Sequence, residues 1–172
     1  MTGRTGWRRF GSRGRDLAVA TGAVVATAVA GGTATDPGGR WYRSLDLPPW
    51  QPPAPTFGLV WTPLYADLAV TSAAVATRLA EDDRPRERRA WWAALGVNLA
   101  LNAGWSALFF RSHRPWLATV GAAALTASSA DLARRAGASD PWHRTALLPY
   151  AAWCGFATLL TAEIWRRNPG RH

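Results

Sequence analysis

The chain has no lysine, a single cysteine and three histidines among 172 residues, and these scarcities remove several kinds of chemistry. Cys154, alone, rules out an intrachain disulfide, and its place inside an apolar run reads as a small buried hydrophobe. His113, His143 and His172 fall in two connectors and the tail, too dispersed for the spacing of a metal site. No phosphate-cradling glycine loop, nucleophile elbow or pair of carboxylates occurs, so no catalytic residue is assigned. Acidic residues number eleven against twenty arginines. In a soluble protein the resulting net charge of +9 would point to nucleic acid. Here the arginines punctuate apolar segments and form no stripe, so nucleic acid is not an expected partner.

Charge is also missing from long stretches of the chain. The mean hydropathy of −0.11 hides this, because ionisable groups concentrate in tails and short connectors. Five runs remain that approach the roughly 20 residues needed to cross about 30 Å of hydrocarbon as helix. They cover residues 17–35, 57–80, 90–110, 116–133 and 145–165. The expected fold is therefore all-α, an integral membrane bundle of five transmembrane helices. Residues 1–16 read as a basic amino-terminal tail, 17–168 as a single membrane domain, and 169–172 as a tail. The first run is the weakest, since a basic stretch followed by Ala28-Val29-Ala30 also fits a cleavable secretory signal. Arg8-Arg9-Phe10 makes only a poor twin-arginine address, because Gly11 follows where an apolar residue belongs.

With five spans, thirteen arginines fall on the side of the amino terminus and seven on the other. The positive-inside tendency then places the amino terminus in the cytoplasm of a cell-membrane protein, and the 36–56 loop outside.

Against these absences stand eleven tryptophans. The densest informative stretch, WYRSLDLPPWQPPAPTFGLVWTPLY from Trp41 to Tyr65, sets a prolyl, indole-rich loop against an apolar run. Irregular backbone cannot face lipid, so this loop lies outside the hydrocarbon or folds over the mouth of the bundle. Pro48, Pro49, Pro52, Pro53 and Pro55 stiffen it, which suits a lid in which Trp41, Tyr42 and Trp50 stack on a flat ligand. The competing reading is an aromatic belt at headgroup depth, which would also take in Trp91, Trp92, Trp116, Trp142 and Trp165.

Helical geometry at 100° per residue adds faces. Asn98, Asn102, Trp105 and Phe109 fall within about 60° of one another. Gly96, Ala100 and Gly104 form a small-xxx-small ladder on the far side, a seam for a second copy or for another helix of the same bundle. An asparagine in hydrocarbon needs a partner, so Asn98 and Asn102 point inward as ligand contacts or as interhelical glue. Tyr150, Trp153, Ala157, Leu160 and Ile164 share one face, as do Phe57, Trp61, Tyr65 and Leu68. Asp67 lies on the opposite side, where a carboxylate calls for a nearby arginine or a proton. Asp131 and Glu163 sit near span ends, within reach of water.

The Trp41–Tyr65 stretch, LALNAGWSALFF at Leu99–Phe110 and LLPYAAWCGFATLLTAEIWRRN at Leu147–Asn168 resemble, in this order, the TspO/MBR family. These are the tryptophan-rich sensory proteins of bacteria and the mitochondrial translocator protein, or peripheral benzodiazepine receptor. The resemblance implies a five-helix bundle, commonly a homodimer, that binds porphyrins such as protoporphyrin IX. In some members it implies cholesterol and synthetic isoquinoline or benzodiazepine ligands as well. It places Trp61, Tyr65, Asn102, Trp105, Trp153 and Ala157 at the ligand cavity, where the small residue leaves room for a ring system. Phe109, sharing the Asn102 face, joins this set. No cofactor is required, and porphyrin or haem-like molecules enter as ligands. Activities proposed for the family are tetrapyrrole transport, stress sensing and light-dependent porphyrin degradation, the last relying on indoles, a photoexcited porphyrin and oxygen. Three departures stand out. Ala162 replaces the tyrosine of the animal sterol motif, and Thr161 replaces a frequent asparagine. Asp67 has no counterpart in the quoted motifs.

Overall fold

The computed structural model describes residues 4–170, with side chains from Arg13 onward. Residues 1–3, residues 171–172 and the side chains of Arg4, Arg8 and Arg9 lie outside that part. The described residues hold five long helices and one short one: α1 (Arg4–Ala34), α2 (Arg40–Arg43), α3 (Ala54–Glu81), α4 (Pro85–Phe110), α5 (Pro115–Gly137) and α6 (Pro141–Arg167). The long helices begin earlier than apolarity alone indicates because prolines open them. Pro85, Pro115 and Pro141 occupy first-turn positions, where the missing N–H costs nothing and the fixed φ is already helical. At α6 the Asp140 carboxylate also accepts the Trp142 amide at 2.8 Å, a helix N-cap.

The five long helices close into a ring. α1 packs on α3 and α4, α4 on α5, α5 on α6, and α6 back on α3, while α3 and α4 touch across the interior. Four of the five, α1 from Arg13, α3, α4 and α6, are long and apolar enough to cross a membrane. α5, about 35 Å long at 1.5 Å per residue, carries Ser128, Ser129, Asp131, Arg134 and Arg135 in its second half. Apolar side chains face outward as well as inward. Val19, Val29, Leu59, Val70, Val97, Val120 and Leu159 are exposed, whereas Asn98, Asn102, Ser106, Ser129 and Thr161 are buried. An apolar exterior, with the polar groups drawn inward among apolar core residues, is what hydrocarbon solvent demands, and the protein is a multi-pass integral membrane protein.

Several sequence expectations acquire a definite place. α1 packs into the bundle as helix, with Ala20 and Val24 buried. Trp91 departs from the aromatic-belt reading: it is 1% exposed, and its indole donates to the Ser72 carbonyl at 3.1 Å. Trp116, Trp142 and Trp165 are exposed. Asp67 is half-buried and accepts from Thr71 Oγ1 at 3.0 Å, with no arginine paired to it among the described residues. Asp131 pairs with Arg134 and Arg135, and Glu163 with Arg166 and Arg167, all on their own helices.

The two ends differ. At one, Asp16, Thr77 and Arg88 tie α1, α3 and α4 together. At the other, the 35–53 segment, including α2, folds over the helix ends. There Leu45, Phe109, Ala118, Leu160 and Ile164 form a separate small core with Trp41, Tyr42 and Leu47 packed on it.

Candidate ligand cavity

Between the main core and this small outer core lies a cavity of about 470 Å³, within the roughly 300–1,000 Å³ of small-molecule sites. α1 contributes Ala28, Gly31 and Gly32, whose lack of bulk makes room there. α3 contributes Phe57, Trp61 and Tyr65; α4 Asn102, Trp105, Phe109 and Phe110; α6 Trp153, Cys154, Ala157 and Thr161. Tyr42 and Gln51 close it from the loop. No charged side chain lines it.

Its aromatic walls are ordered by ring contacts. Trp61 stacks on Tyr65 at 5.0 Å and meets Trp153 edge-on at 6.5 Å. Trp153 stacks on Phe156 at 5.0 Å, and Trp105 on Phe109 at 5.6 Å with 13° between planes. Offset-stacked and edge-on pairs of this kind are the favoured aromatic geometries, so the rings hold one another in place.

Behind the rings runs a continuous polar chain through four helices. Tyr65 donates to Asn102 Oδ1 at 2.8 Å, and Asn102 Nδ2 donates to the Tyr150 hydroxyl at 3.1 Å. Tyr150 donates to Asn98 Oδ1 at 2.7 Å, and Asn98 Nδ2 donates to Ser129 Oγ at 3.0 Å. Asn98, fully buried and absent from the cavity wall, is interhelical glue. Asn102 does both jobs, bonding across helices and facing the cavity.

Of the residues predicted from sequence, Tyr42, Trp61, Tyr65, Asn102, Trp105, Phe109, Trp153 and Ala157 meet around this one cavity. Trp41 lies in an adjoining smaller cavity, stacked on His113 at 4.6 Å. Trp50 is 47% exposed and meets Phe156 edge-on at 5.9 Å, one ring removed from Trp153. On α4, a Cβ at Gly96 or Gly104 would meet nothing within 4 Å, and Ala100 is exposed. The ladder thus has open space beside it at Gly96 and Gly104.

Sequence reasoning passed over three contributors. Gln51 donates from Nε2 to the Tyr42 hydroxyl at 2.9 Å, and as the lone amide among loop prolines it was there to be noticed. Cys154 lines the wall, where only its burial was foreseen. Asn168, 4% exposed, grips the loop by two points: its Oδ1 accepts the Asp46 amide at 2.9 Å and its Nδ2 donates to the Asp46 carbonyl at 3.0 Å. Each such bond contributes about 1 kcal/mol net. Asn168→Ala is accordingly expected to speed tryptic cleavage after Arg40 and Arg43 about tenfold, since local opening sets that rate and about 1.4 kcal/mol is tenfold. A cleavage rate equal to wild type would show that the loop is held elsewhere.

Three buried polar atoms on cavity-lining residues have no partner: Gln51 Oε1, Trp105 Nε1 and Trp153 Nε1. Buried donors and acceptors are paired in the great majority of native structures, so unmet groups gathered around one void are features an occupant can complete.

Fold and cavity together define a class, that of multi-pass helical membrane proteins with an aromatic, uncharged cavity beneath an ordered loop. The family model for the TspO/MBR family matches residues 18–166. Protein CrtK of Rhodobacter capsulatus is 31% identical over 157 residues, covering 85% of this chain and 90% of its own. The tryptophan-rich protein TspO of Chlorobaculum tepidum is 32% identical over 155 residues, covering 89% and 96%. The translocator protein of Ovis aries is 31% identical over 137 residues, 78% of each chain. The chain belongs to the TspO/MBR family.

Proposed function

We propose that this protein is a membrane sensor or transporter that binds a flat tetrapyrrole of the protoporphyrin IX type in the indole-lined cavity. The observation carrying this reading is the cavity itself: uncharged, walled by stacked aromatic pairs, and holding two unpaired indole N–H groups and one unpaired amide oxygen. Flat apolar ligands gain from ring faces, and a few convergent polar groups fix their orientation. Among the predicted residues, Trp61, Tyr65, Trp105, Phe109, Trp153 and Tyr42 supply faces. Asn102 supplies an amide already oriented by Tyr65 and Tyr150, and Ala157 supplies space. Trp41 and Trp50 act from the loop side. No cofactor takes part.

The test is quenching of tryptophan fluorescence by protoporphyrin IX in the dark, with detergent-purified protein and correction for absorbance. Saturable quenching is expected, whereas a linear, non-saturating response would remove the reading. Illumination then separates binding from degradation, because only an enzyme yields new absorbance bands that require both light and protein.

The protein also acts as a homodimer in this reading, with the amino terminus cytoplasmic. The Gly96, Ala100 and Gly104 ladder, exposed at Gly96 and Ala100 and half-buried at Gly104, allows the backbones of two copies to approach closely. Gly104→Leu is expected to abolish the crosslinked dimer while leaving the monomer folded. An unchanged crosslinking pattern would place the seam elsewhere.

A further inference from the structure

The cavity poses a problem for any ligand that carries carboxylates. It contains no cation, and an ionised carboxylate withdrawn from water without a paired charge is strongly disfavoured. A second cavity of about 340 Å³ shares Tyr42 and Phe110 with the first, so the two adjoin. Its remaining walls are Asp36, Gly39, Arg40, Trp41 and His113.

The charged groups here are not spent on one another. The Asp36 side chain folds back over its own turn, so close that a Cβ at Gly39 would sit 2.5 Å from Asp36 Oδ2. Asp36 makes no ion pair with Arg40 among the described residues. The Arg40 guanidinium has no hydrogen-bond or ion-pair partner among the described residues. His113 stacks on Trp41 with 25° between planes, and its φ of 56° lies in the left-handed region that side chains other than glycine seldom adopt. Such a backbone state persists where the surroundings enforce it, here the tight turn between α4 and α5 together with the Trp41 ring.

We infer that this adjoining cavity is a carboxylate subsite, in which Arg40 and His113 take the acid groups of a ligand whose ring system fills the main cavity. Arg40 supplies a positive charge and a fork suited to two carboxylate oxygens. His113 supplies a ring N–H donor, and Tyr42 forms the shared wall between ring and acid. Asp36 is the opposing influence, a like charge that weakens the hold on the acid. The subsite selects an amphipathic tetrapyrrole acid over its neutral ester and orients it with the acid edge toward the loop. The inference rests on the proposed function above.

The experiment compares protoporphyrin IX with its dimethyl ester by fluorescence quenching in the dark, for wild type, Arg40→Gln and Asp36→Asn, in a nonionic detergent at low salt. Wild type is expected to bind the diacid about tenfold more tightly than the ester, a preference that shrinks as salt screens the exposed charge. Arg40→Gln is expected to bring the diacid down to the affinity of the ester, and Asp36→Asn to raise diacid affinity severalfold, with ester binding the same in all three. An Arg40→Gln protein that binds the diacid as wild type does, or that loses both ligands equally, would overturn the subsite while leaving the main cavity in place. Absence of saturable binding of either ligand to wild type would instead fail the tetrapyrrole reading, and the subsite would fall with it.

Discussion

Ala157→Leu weakens protoporphyrin IX binding by at least tenfold while leaving the ligand-free protein as stable as wild type. Ala157 is half-buried on α6, on the wall of the cavity and in the face that also presents Trp153 and Leu160. Three added carbons project into space the ligand needs, and such overfilling costs about 1–3 kcal/mol when the surroundings cannot yield. Here they cannot yield easily, because Trp153 is fixed by Phe57, Trp61 and Phe156. A loss of about 1.4 kcal/mol is tenfold in affinity. Stability behaves differently from a core substitution, since in the empty cavity the leucine meets void instead of packed atoms. Parallel quenching titrations and thermal unfolding in detergent measure both halves. Equal affinity for the two proteins would place the ligand away from α6. A lowered melting temperature accompanying lost binding would mark the substitution as structural damage.

The faces that form this cavity were readable from spacing, since Trp61 with Tyr65 and Asn102 with Trp105 and Phe109 repeat at helical intervals. Periodicity shows which residues share a face, and the scarcity of charge shows that the faces turn inward in a bilayer. Two things escaped because they depend on neighbours distant in sequence. Asn168 holds Asp46 across 122 positions, a contact no local pattern announces. Trp91 reads as an interfacial indole by its place near a helix end, yet the α3 backbone beside it offers the Ser72 carbonyl, and burial follows. Helix starts were placed several residues late for a local reason. Apolarity begins after the first turn, whereas Pro85 and Pro141 begin the helix itself. The contribution of α1 to the cavity was hidden for the opposite reason. Gly31 and Gly32 act by the volume they do not occupy, which composition records only as a weak span.

The end of the bundle away from the cavity carries the largest expected effect on stability, at Arg88. Asp16 on α1 is 2% exposed, and its carboxylate accepts from Arg88 at 2.5 Å and from Thr77 at 3.2 Å. Arg88 also donates to the Ala76 carbonyl at 3.2 Å, so one guanidinium ties α1 and α3 to α4. The two partners differ in access to water, for the Arg88 side chain is 34% exposed. Removing them therefore has unequal cost. Arg88→Ala strands a buried carboxylate with a single hydroxyl and is expected to destabilise by about 3 kcal/mol, the low end for breaking a buried pair. Asp16→Ala leaves a cation that can reach water along its flexible stem and costs about half as much. The double substitution costs no more than Arg88→Ala alone, because the stranded charge disappears with its partner. Unfolding of the four proteins in detergent, followed by tryptophan fluorescence, gives the cycle. Equal losses in the two single variants, or losses that simply add, would show that the pair is solvated and that helix packing alone holds this end together.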